Sequence, residues 1–405
     1  MDQKNTPYQV LLGVTGGIAA YKACELASAL VKEGVQVRVV MTRNATRFVG
    51  PLTFAALTGQ APVLDDDLFD PGREAAISHI DLARWAQVVV VAPATANLLA
   101  KAAGGLADDL LSTVLLATRA PLILAPAMNP AMWAHPATQE NAARLTVRGA
   151  RLVGPAAGRT ACGEEGPGRL AEPAEIAEVV WQELTPHDLS GVRILVSAGP
   201  TREHLDPVRY ISNPSSGRMG IELARAARQR GALTTLVLGP THLPAPAGVD
   251  TVRVTSAAQM AEAILGRAEQ AQVVIKAAAV SDFRPAVCAD QKVKKRGQGE
   301  ENCCLVATTD ILASLGRTKG ERILVGFAAE TEEVLAHAQA KLTAKNLDLL
   351  VANDVTAPDA GFGVETNRVH LLHAGGRVES LPVMSKARVA HAILDRVVDL
   401  LVAKR

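Results

Sequence analysis

Between Gly158 and Leu170 the chain reads GRTACGEEGPGRL, which places one thiol, Cys162, among four glycines and Pro167. Glycine costs backbone entropy inside a regular element and proline lacks a donor, so the run is predicted to be a mobile loop carrying one reactive group. Taken alone, it also reads as a glycine-rich surface connection with an incidental cysteine. Asn129, in Ala125-Pro126-Ala127-Met128-Asn129, can both donate and accept, which suits gripping a carboxylate or an amide. His79 stands just ahead of a predicted helix, where a histidine serves either as a cap or as a catalyst. Further on, Asp282 follows a strand and precedes the basic cluster Lys292, Lys294, Lys295 and Arg296. Such an acid can help hold a cation, while the basic run is equally the pattern of a solvated face.

These groups need elements to position them, and the first half supplies a βα unit. Val10 to Val14 is a short apolar strand that meets Thr15-Gly16-Gly17-Ile18. A helix follows with apolar residues at Ile18, Tyr21, Leu26 and Leu30; it ends at Gly34, and Val35 to Met41 is the next strand. Free N–H groups at such a helix start suit a phosphate. The turn lacks the GxGxxG spacing of a dinucleotide site, so a flavin mononucleotide or another monophosphate fits better than NAD. Strands at Val88 to Ala92 and Leu122 to Ala125 each end in proline and small polar residues, and their loops should face the TGGI turn.

GVTGGIAAYK, the SHI segment, VVVAPATANLLAK, PAMNPAMW and ACGEEGPGRL, in this order, resemble the flavin-dependent cysteine decarboxylases of coenzyme A synthesis over about residues 8 to 180. The resemblance implies a flavodoxin-like sheet binding FMN, trimers with the flavin at a subunit interface, and decarboxylation of 4'-phosphopantothenoylcysteine to 4'-phosphopantetheine. It makes His79 the active-site histidine, Asn129 the clamp on the substrate carboxylate, and Cys162 the thiol that protonates the intermediate. Thr15, Gly16, Gly17, Thr42 and Thr95 would hold the FMN. Ala107-Asp108-Asp109-Leu110 departs from the family's Asn-Asp-Leu and puts Asp108 in doubt. Oxidation of the thiol-bearing carbon by FMN gives a thioaldehyde that can hold the electrons left by CO2. Hydride return and a proton then complete a redox-neutral reaction. An ordinary thiol, with a pKa of about 8.5, is mostly protonated at neutral pH and can give that proton.

Trp181 to Gly191 reads as a linker between domains at residues 1–187 and 191–405. A new strand, Val192 to Ser197, leads to AGPTRE and then to ISNPSSGRMG ahead of a helix that ends at Gly231. Small residues and hydroxyls there make a second phosphate cradle, or an ordinary cap by Ser215 or Ser216. Strands at Leu233 to Leu238, Val273 to Ala277, Ile323 to Phe327 and Leu347 to Val351 alternate with helices, so this half is again α/β and Rossmann-like. GPTREHLDPVRYISNPSSGRMG, KAAAVSDFRP, KVKK, GFAAET and LVANDV resemble phosphopantothenate-cysteine ligases over about residues 190 to 400.

That second resemblance implies activation of 4'-phosphopantothenate by CTP to an acyl-cytidylate, then attack by the amino group of L-cysteine. Arg209, Ser215, Ser216 and Gly217 would hold phosphopantothenate, Asn213 the acyl-cytidylate, and Lys292 would act in the cysteine step. Lys276, Ala277, Ala278, Asp282, Lys292, Thr309, Asp310, Ile311, Leu312, Phe327, Lys341 and Lys345 would meet CTP, with Asp282 on Mg2+. Thr308-Thr309-Asp310 lacks the family's proline before the aspartate. Together the two resemblances imply consecutive steps of coenzyme A synthesis in one chain, with trimers tied to dimers in a homo-oligomeric dodecamer.

At 405 residues the chain suits two domains of roughly 150 to 200 residues each. Lys plus Arg at 42 against Asp plus Glu at 41 leaves +1, and aromatics are 3%, so no nucleic-acid partner is expected. The polar N-terminus shows no signal peptide and the apolar runs are too short for a membrane span, so the protein is expected to be cytoplasmic, with no membrane partner. Five cysteines without CxxC spacing indicate free thiols and no zinc site. A regulatory flavoprotein of the same fold and an NAD(P)-dependent dehydrogenase are the competing classes. The first is disfavoured by the presence of Cys162 and Asn129, the second by the missing GxGxxG.

Overall fold

The computed structural model describes residues 8–69, 79–294, 302–330, 334–354 and 364–404. The chain divides into two compact units, Met1–Pro186 and His187–Arg405.

In the first unit the elements run β1 (Gln9–Val14), α1 (Ala20–Lys32), β2 (Gln36–Met41), α2 (Pro51–Thr58), β3 (Val63–Leu64), α3 (His79–Trp85), β4 (Val88–Ala94), α4 (Ala96–Gly104), α5 (Leu110–Ala117), β5 (Leu122–Pro126), α6 (Pro130–Ala134), α7 (Pro136–Val147), β6 (Arg151–Leu152), β7 (Ala156–Arg159), β8 (Glu165–Arg169) and α8 (Pro173–Leu184). Six parallel strands line up as β3-β2-β1-β4-β5-β6. Without the two-residue edge strand β3, this is the 2-1-3-4-5 order of a flavodoxin-like sheet. Both faces are covered, so strand residues are buried without alternation: Val10, Leu12 and Val14 pack on one side, Leu11, Val89 and Val91 on the other.

Two sequence expectations fail here. Residues 158–170 do not form a mobile loop: β7 and β8 pair antiparallel, with Cys162 at the turn between them. A register shift between Ala156 and Ala157, and Gly158 and Gly166 at φ 139° and 153°, let this unusual pair form, and Pro167 sits opposite Ala157. Nor do Ile18 and Tyr21 join the core stripe of α1. Ile18 precedes the helix, and the buried stripe is Ala20, Ala23, Leu26, Ala27 and Leu30.

The second unit runs β9 (Arg193–Ala198), β10 (Arg202–His204), β11 (Tyr210–Ser212), α9 (Arg218–Gln229), β12 (Leu233–Leu238), β13 (Asp250–Arg253), α10 (Ala257–Ala268), β14 (Val273–Lys276), β15 (Phe283–Pro285), β16 (Leu305–Ala307), α11 (Ile311–Arg317), β17 (Ile323–Glu330), α12 (Val334–Ala344), β18 (Leu349–Asp354), β19 (Thr366–Asn367), β20 (Val369–His373), β21 (Val378–Ser380), β22 (Met384–Ser385) and α13 (Lys386–Ala403). Its main sheet has the order β13-β12-β9-β14-β17-β18-β20-β21. The first six strands are parallel in the 3-2-1-4-5-6 order of a Rossmann fold. The last two, β20 and β21, are antiparallel and give the sheet an edge that α/β alternation did not forecast.

Arg230, just past α9, ties this unit together. Its side chain is 3% exposed and forks to Asp188 at 2.8 and 2.6 Å, to Asp395 on α13 at 2.8 Å and to the His391 carbonyl at 3.1 Å. Removing it leaves two half-exposed carboxylates without their cation. Arg230→Ala is therefore expected to cost about 2 kcal/mol of stability, with Arg230→Lys recovering only part because a point charge cannot fork. The denaturant midpoint of the full chain checks this.

Candidate functional site

In a parallel sheet, loops gather at the carboxyl ends of the strands, and in the first unit they enclose a cavity of about 960 Å3. Thr15, Gly16 and Gly17 come from the end of β1, Thr42 and Asn44 from β2, Thr95 from β4 and Asn129 from β5. Ile18 and Tyr21, displaced from the core, line this cavity instead. A Cβ on Gly16 would come within 2.4 Å of the Asn44 Cβ and 2.9 Å of its carbonyl carbon, so the two loops meet only because position 16 is glycine. Thr15 Oγ1 donates to the Pro93 carbonyl at 2.6 Å and accepts from the Thr95 N–H at 3.3 Å, which ties β1 to β4. Thr95 also caps α4, accepting from the Leu98 N–H at 3.4 Å. The cavity thus looks onto the starts of α1 and α4, whose free N–H groups favour an anion.

Asn129 caps α6: its Oδ1 accepts from the Ala131 N–H at 2.8 Å. That contact fixes the amide orientation and leaves the Nδ2 hydrogens facing the cavity. They reach Glu164 Oε2 at 2.9 Å and Cys162 Sγ at 3.2 Å. The hairpin turn is closed by Thr160 N–H donating to the Glu164 carbonyl at 2.8 Å, with Thr160 Oγ1 2.9 Å from the same oxygen, and by Gly163 N–H donating to the Thr160 carbonyl at 2.9 Å. Thr160 Oγ1 also lies 3.0 Å from Cys162 Sγ. Hydrogen bonds from Thr160, then from the Asn129 amide and the Glu164 backbone, favour the thiolate and hold the exposed Cys162 thiol below its ordinary value. Asn129 and Cys162 are thus brought together, while His79 opens α3 and does not line the cavity.

Several residues here carried no assignment in the sequence. Asp65 accepts from the Arg43 N–H at 2.9 Å and the Leu110 N–H at 3.1 Å, and burial pushes its carboxyl up. Lys101 pairs with both Asp108 and Asp109 at 2.7 Å, and Asp109 caps α5 in a capping box with Ser112. Asp109 lines the cavity and the more exposed Asp108 is its outer neighbour.

In the second unit the same crowding recurs where β9 meets α9 and β12. A Cβ on Gly239 would lie 2.0 Å from the Pro200 carbonyl oxygen, and one on Gly220 would lie 2.5 Å from the Ala198 Cβ. Gly217, at φ 78°, starts α9, and its N–H donates to Ser215 Oγ at 3.3 Å. Asn213 Nδ2 donates to the Ala279 carbonyl at 3.1 Å, so the SNPSSG loop and the β14 loop share one place. Lys276 ends β14; burial, then the charges of Lys341 and Lys345, holds it down to about 8. Lys345 pairs with Asp310 at 2.8 Å, and Asp310 caps α11 through the Ala313 N–H. Ala277, Ala278 and Phe327 border this strand-end region, and Thr309 leads into α11. Ile311 and Leu312 have side chains in the core, so only their backbone can face a ligand.

Arg209 is already engaged. Its guanidinium holds the fully buried Asp206, whose carboxyl lies well below the usual range, and it donates to the Val293 carbonyl at 2.6 Å. The Val293 N–H returns a bond to Asp206 at 3.1 Å. Lys292 and Lys294 are thereby presented, exposed, on either side of an anchored residue. Lys295 and Arg296 lie outside the described residues. Among the described residues no three His, Cys, Asp or Glu side chains form a metal cluster.

The flavoprotein family model matches residues 1–185, and the model of the DNA/pantothenate metabolism flavoprotein C-terminal domain matches residues 189–401. The coenzyme A biosynthesis bifunctional protein CoaBC of Vibrio cholerae is 48% identical over 388 residues, which is 95% of this chain and 96% of that one. Its counterpart in Bacillus subtilis is 48% identical over 395 residues, covering 96% and 97%. Among solved structures, a C-terminal domain of CoaBC covers 53% of this chain and 98% of its own, at 41% identity and a TM-score of 0.46. A cysteine-to-serine mutant of a PPC decarboxylase, complexed with pantothenoylaminoethenethiol, covers 43% and 97%, at 36% identity and a TM-score of 0.40.

The Thr160 hydroxyl is the first contributor to the lowered Cys162 pKa. Thr160→Val is therefore expected to raise the pH midpoint of Cys162 alkylation, followed by peptide mass mapping so that the exposed Cys288, Cys303 and Cys304 are counted separately.

Proposed function

This chain belongs to the family of bifunctional coenzyme A biosynthesis proteins, and from that premise we propose how its own residues divide the two reactions. The two steps are ligation of cysteine to 4'-phosphopantothenate in the second unit and decarboxylation of 4'-phosphopantothenoylcysteine in the first. The observation that carries the residue-level reading is the meeting of an oriented amide and a thiol, 3.2 Å apart, at a cavity floored by two helix starts.

FMN is the cofactor proposed for that cavity, and the residues fit it. The Gly16 approach that a Cβ would block, with Thr15, Gly17, Thr42 and Thr95, builds a phosphate-sized cradle of N–H groups and hydroxyls. Bound there, FMN supplies reversible two-electron oxidation of the thiol-bearing carbon. Asn129 Nδ2 holds the substrate carboxylate, and Cys162 gives the proton that completes the reduction. His79 is kept as the active-site histidine by resemblance alone.

In the ligase unit, CTP and phosphopantothenate lie at the strand ends. Ser215, Ser216 and Gly217 hold the phosphate of phosphopantothenate at the α9 start, and Asn213 orients the acyl-cytidylate. Lys276, Lys341 and Lys345 carry the charge that stabilises departing pyrophosphate. Mg2+ comes to the site on the triphosphate, with Asp282 as its one protein ligand, since hydrated Mg2+ needs few. Arg209 acts on phosphopantothenate through the turn it braces, and Lys292 serves the cysteine step. No described helix is long and apolar enough to cross a membrane. A cytoplasmic dodecamer, with decarboxylase trimers joined by ligase dimers, completes the proposal.

The test is an assay of the purified protein with 4'-phosphopantothenate, cysteine, CTP and Mg2+, following pyrophosphate, CO2 and flavin absorbance together. Equal pyrophosphate and CO2 are expected; pyrophosphate without CO2 would sink the reading of the first unit. In the same assay Cys162→Ser is expected to release CO2 while accumulating the oxidised enethiol. Lys276 keeps its charge below about pH 8 and loses it above, so the KM for CTP is expected to rise as pH passes that value. Lys276→Arg should flatten the rise, because its guanidinium stays charged.

A further inference from the structure

The Asn129 amide has one side for a ligand, and Glu164 already occupies it. Oδ1 is spent on the Ala131 N–H, so any carboxylate that Asn129 is to hold must take a hydrogen from Nδ2. Both Nδ2 hydrogens have partners: the Glu164 carboxylate at 2.9 Å and the Cys162 sulfur at 3.2 Å. A carboxylate of the chain itself therefore sits where a carboxylate of the substrate has to go. We propose that Glu164 is a placeholder for the substrate carboxylate, released from Asn129 when a carboxylated ligand binds and returning to it once that carboxylate has left as CO2. The inference rests on reading Asn129 as the carboxylate clamp.

Two features make the exchange workable. Glu164 is exposed, so leaving Asn129 trades an amide partner for water, and one charge-assisted hydrogen bond replaces another of the same kind. The cost of opening is correspondingly small. The second feature is mechanical. Glu164 and Cys162 share a turn whose bonds run through the Glu164 and Thr160 backbone carbonyls, so the Glu164 side chain can rotate off the amide while the turn holds Cys162 in place. With substrate carboxylate on Nδ2, the Glu164 side chain stands away in solvent and Cys162 stays in its turn. After CO2 departs, Nδ2 is again without a carboxylate and Glu164 returns. Glu164 is thus a positioning residue that favours ligands according to whether they carry a carboxylate.

The experiment uses the full-length, flavin-loaded protein, with wild-type flavin absorbance as the mark of a folded site. In Glu164→Ala the competitor is gone, so the KM for 4'-phosphopantothenoylcysteine is expected to fall about three- to ten-fold, as for loss of a competing charged hydrogen bond. The affinity for 4'-phosphopantetheine, which has no carboxylate, should not change. Glu164→Gln, a neutral acceptor, should fall between. Equal weakening of both ligands, or an unchanged KM, would mean that Glu164 only supports the hairpin and would overturn the proposal. Asn129→Ala separates the two layers. If it selectively raises the KM for the carboxylated substrate while Glu164→Ala does not lower it, the placeholder alone fails; if it leaves that KM unchanged, the clamp reading fails and the placeholder with it.

Discussion

Both units depend on backbone being brought into contact at the carboxyl ends of parallel strands. Crossover connections deliver every strand-to-helix loop to that edge, and the loops must pack there without side chains between them. Gly16 against Asn44 does this in the first unit, and Gly239 against the Pro200 carbonyl does it in the second. A methyl group at either point would push loops apart by more than a flexible side chain could absorb. Only when the loops close do the N–H groups at the starts of α1 and α4 face one volume in the first unit, and those at the start of α9 the strand ends of the second. The anion-binding character of both sites is therefore a consequence of packing before it is a matter of charge.

On that frame, polar groups gain direction from being partly used up. Asn129 illustrates this: a free amide presents a donor and an acceptor, but one that caps a helix presents a donor only. The same holds for Arg209, whose fork is committed to Asp206 and Val293 and so acts on the Lys292 segment through backbone. Lys276 differs in kind. Its perturbation comes from enclosure and from two neighbouring lysines, which Asp310 and Asp282 offset in part, and this describes a place prepared for negative charge.

Much of this architecture was legible in the sequence. Short apolar strands ending in glycine or proline marked two doubly wound sheets, because runs this short, rich in β-branched residues and closed by turn residues, fit strands buried on both faces. The residues gathered at the first cavity, Thr15, Gly16, Gly17, Thr42, Thr95, Asn129 and Cys162, could be picked from motifs. The hairpin of β7 and β8 could not, since its glycines and proline argue against strand and only the pairing across the turn rescues it. Ile18 and Tyr21 matched a helical spacing but face the cavity, because the helix starts two residues later than the apolar pattern does. Asp65 looked like part of a run of three aspartates, and nothing local distinguishes the one that receives two backbone N–H groups from its neighbours. Thr160 and Glu164 stood in the quoted motif without a role, because their partners lie across a turn or on another loop.

Gly168 gives the hairpin its seat. Its carbonyl accepts from the Met128 N–H at 3.0 Å, and a Cβ there would stand 2.3 Å from the Met128 carbonyl oxygen. The strand that carries the thiol is thus laid directly on the loop that carries the amide, backbone to backbone. Thiol and amide are therefore held as one mechanical unit, since a side chain at position 168 would lift the hairpin off the loop. A chimera that exchanges the PAMN loop between members of this family while leaving its own Gly168 strand behind would keep every reactive group and lose the surface on which they meet.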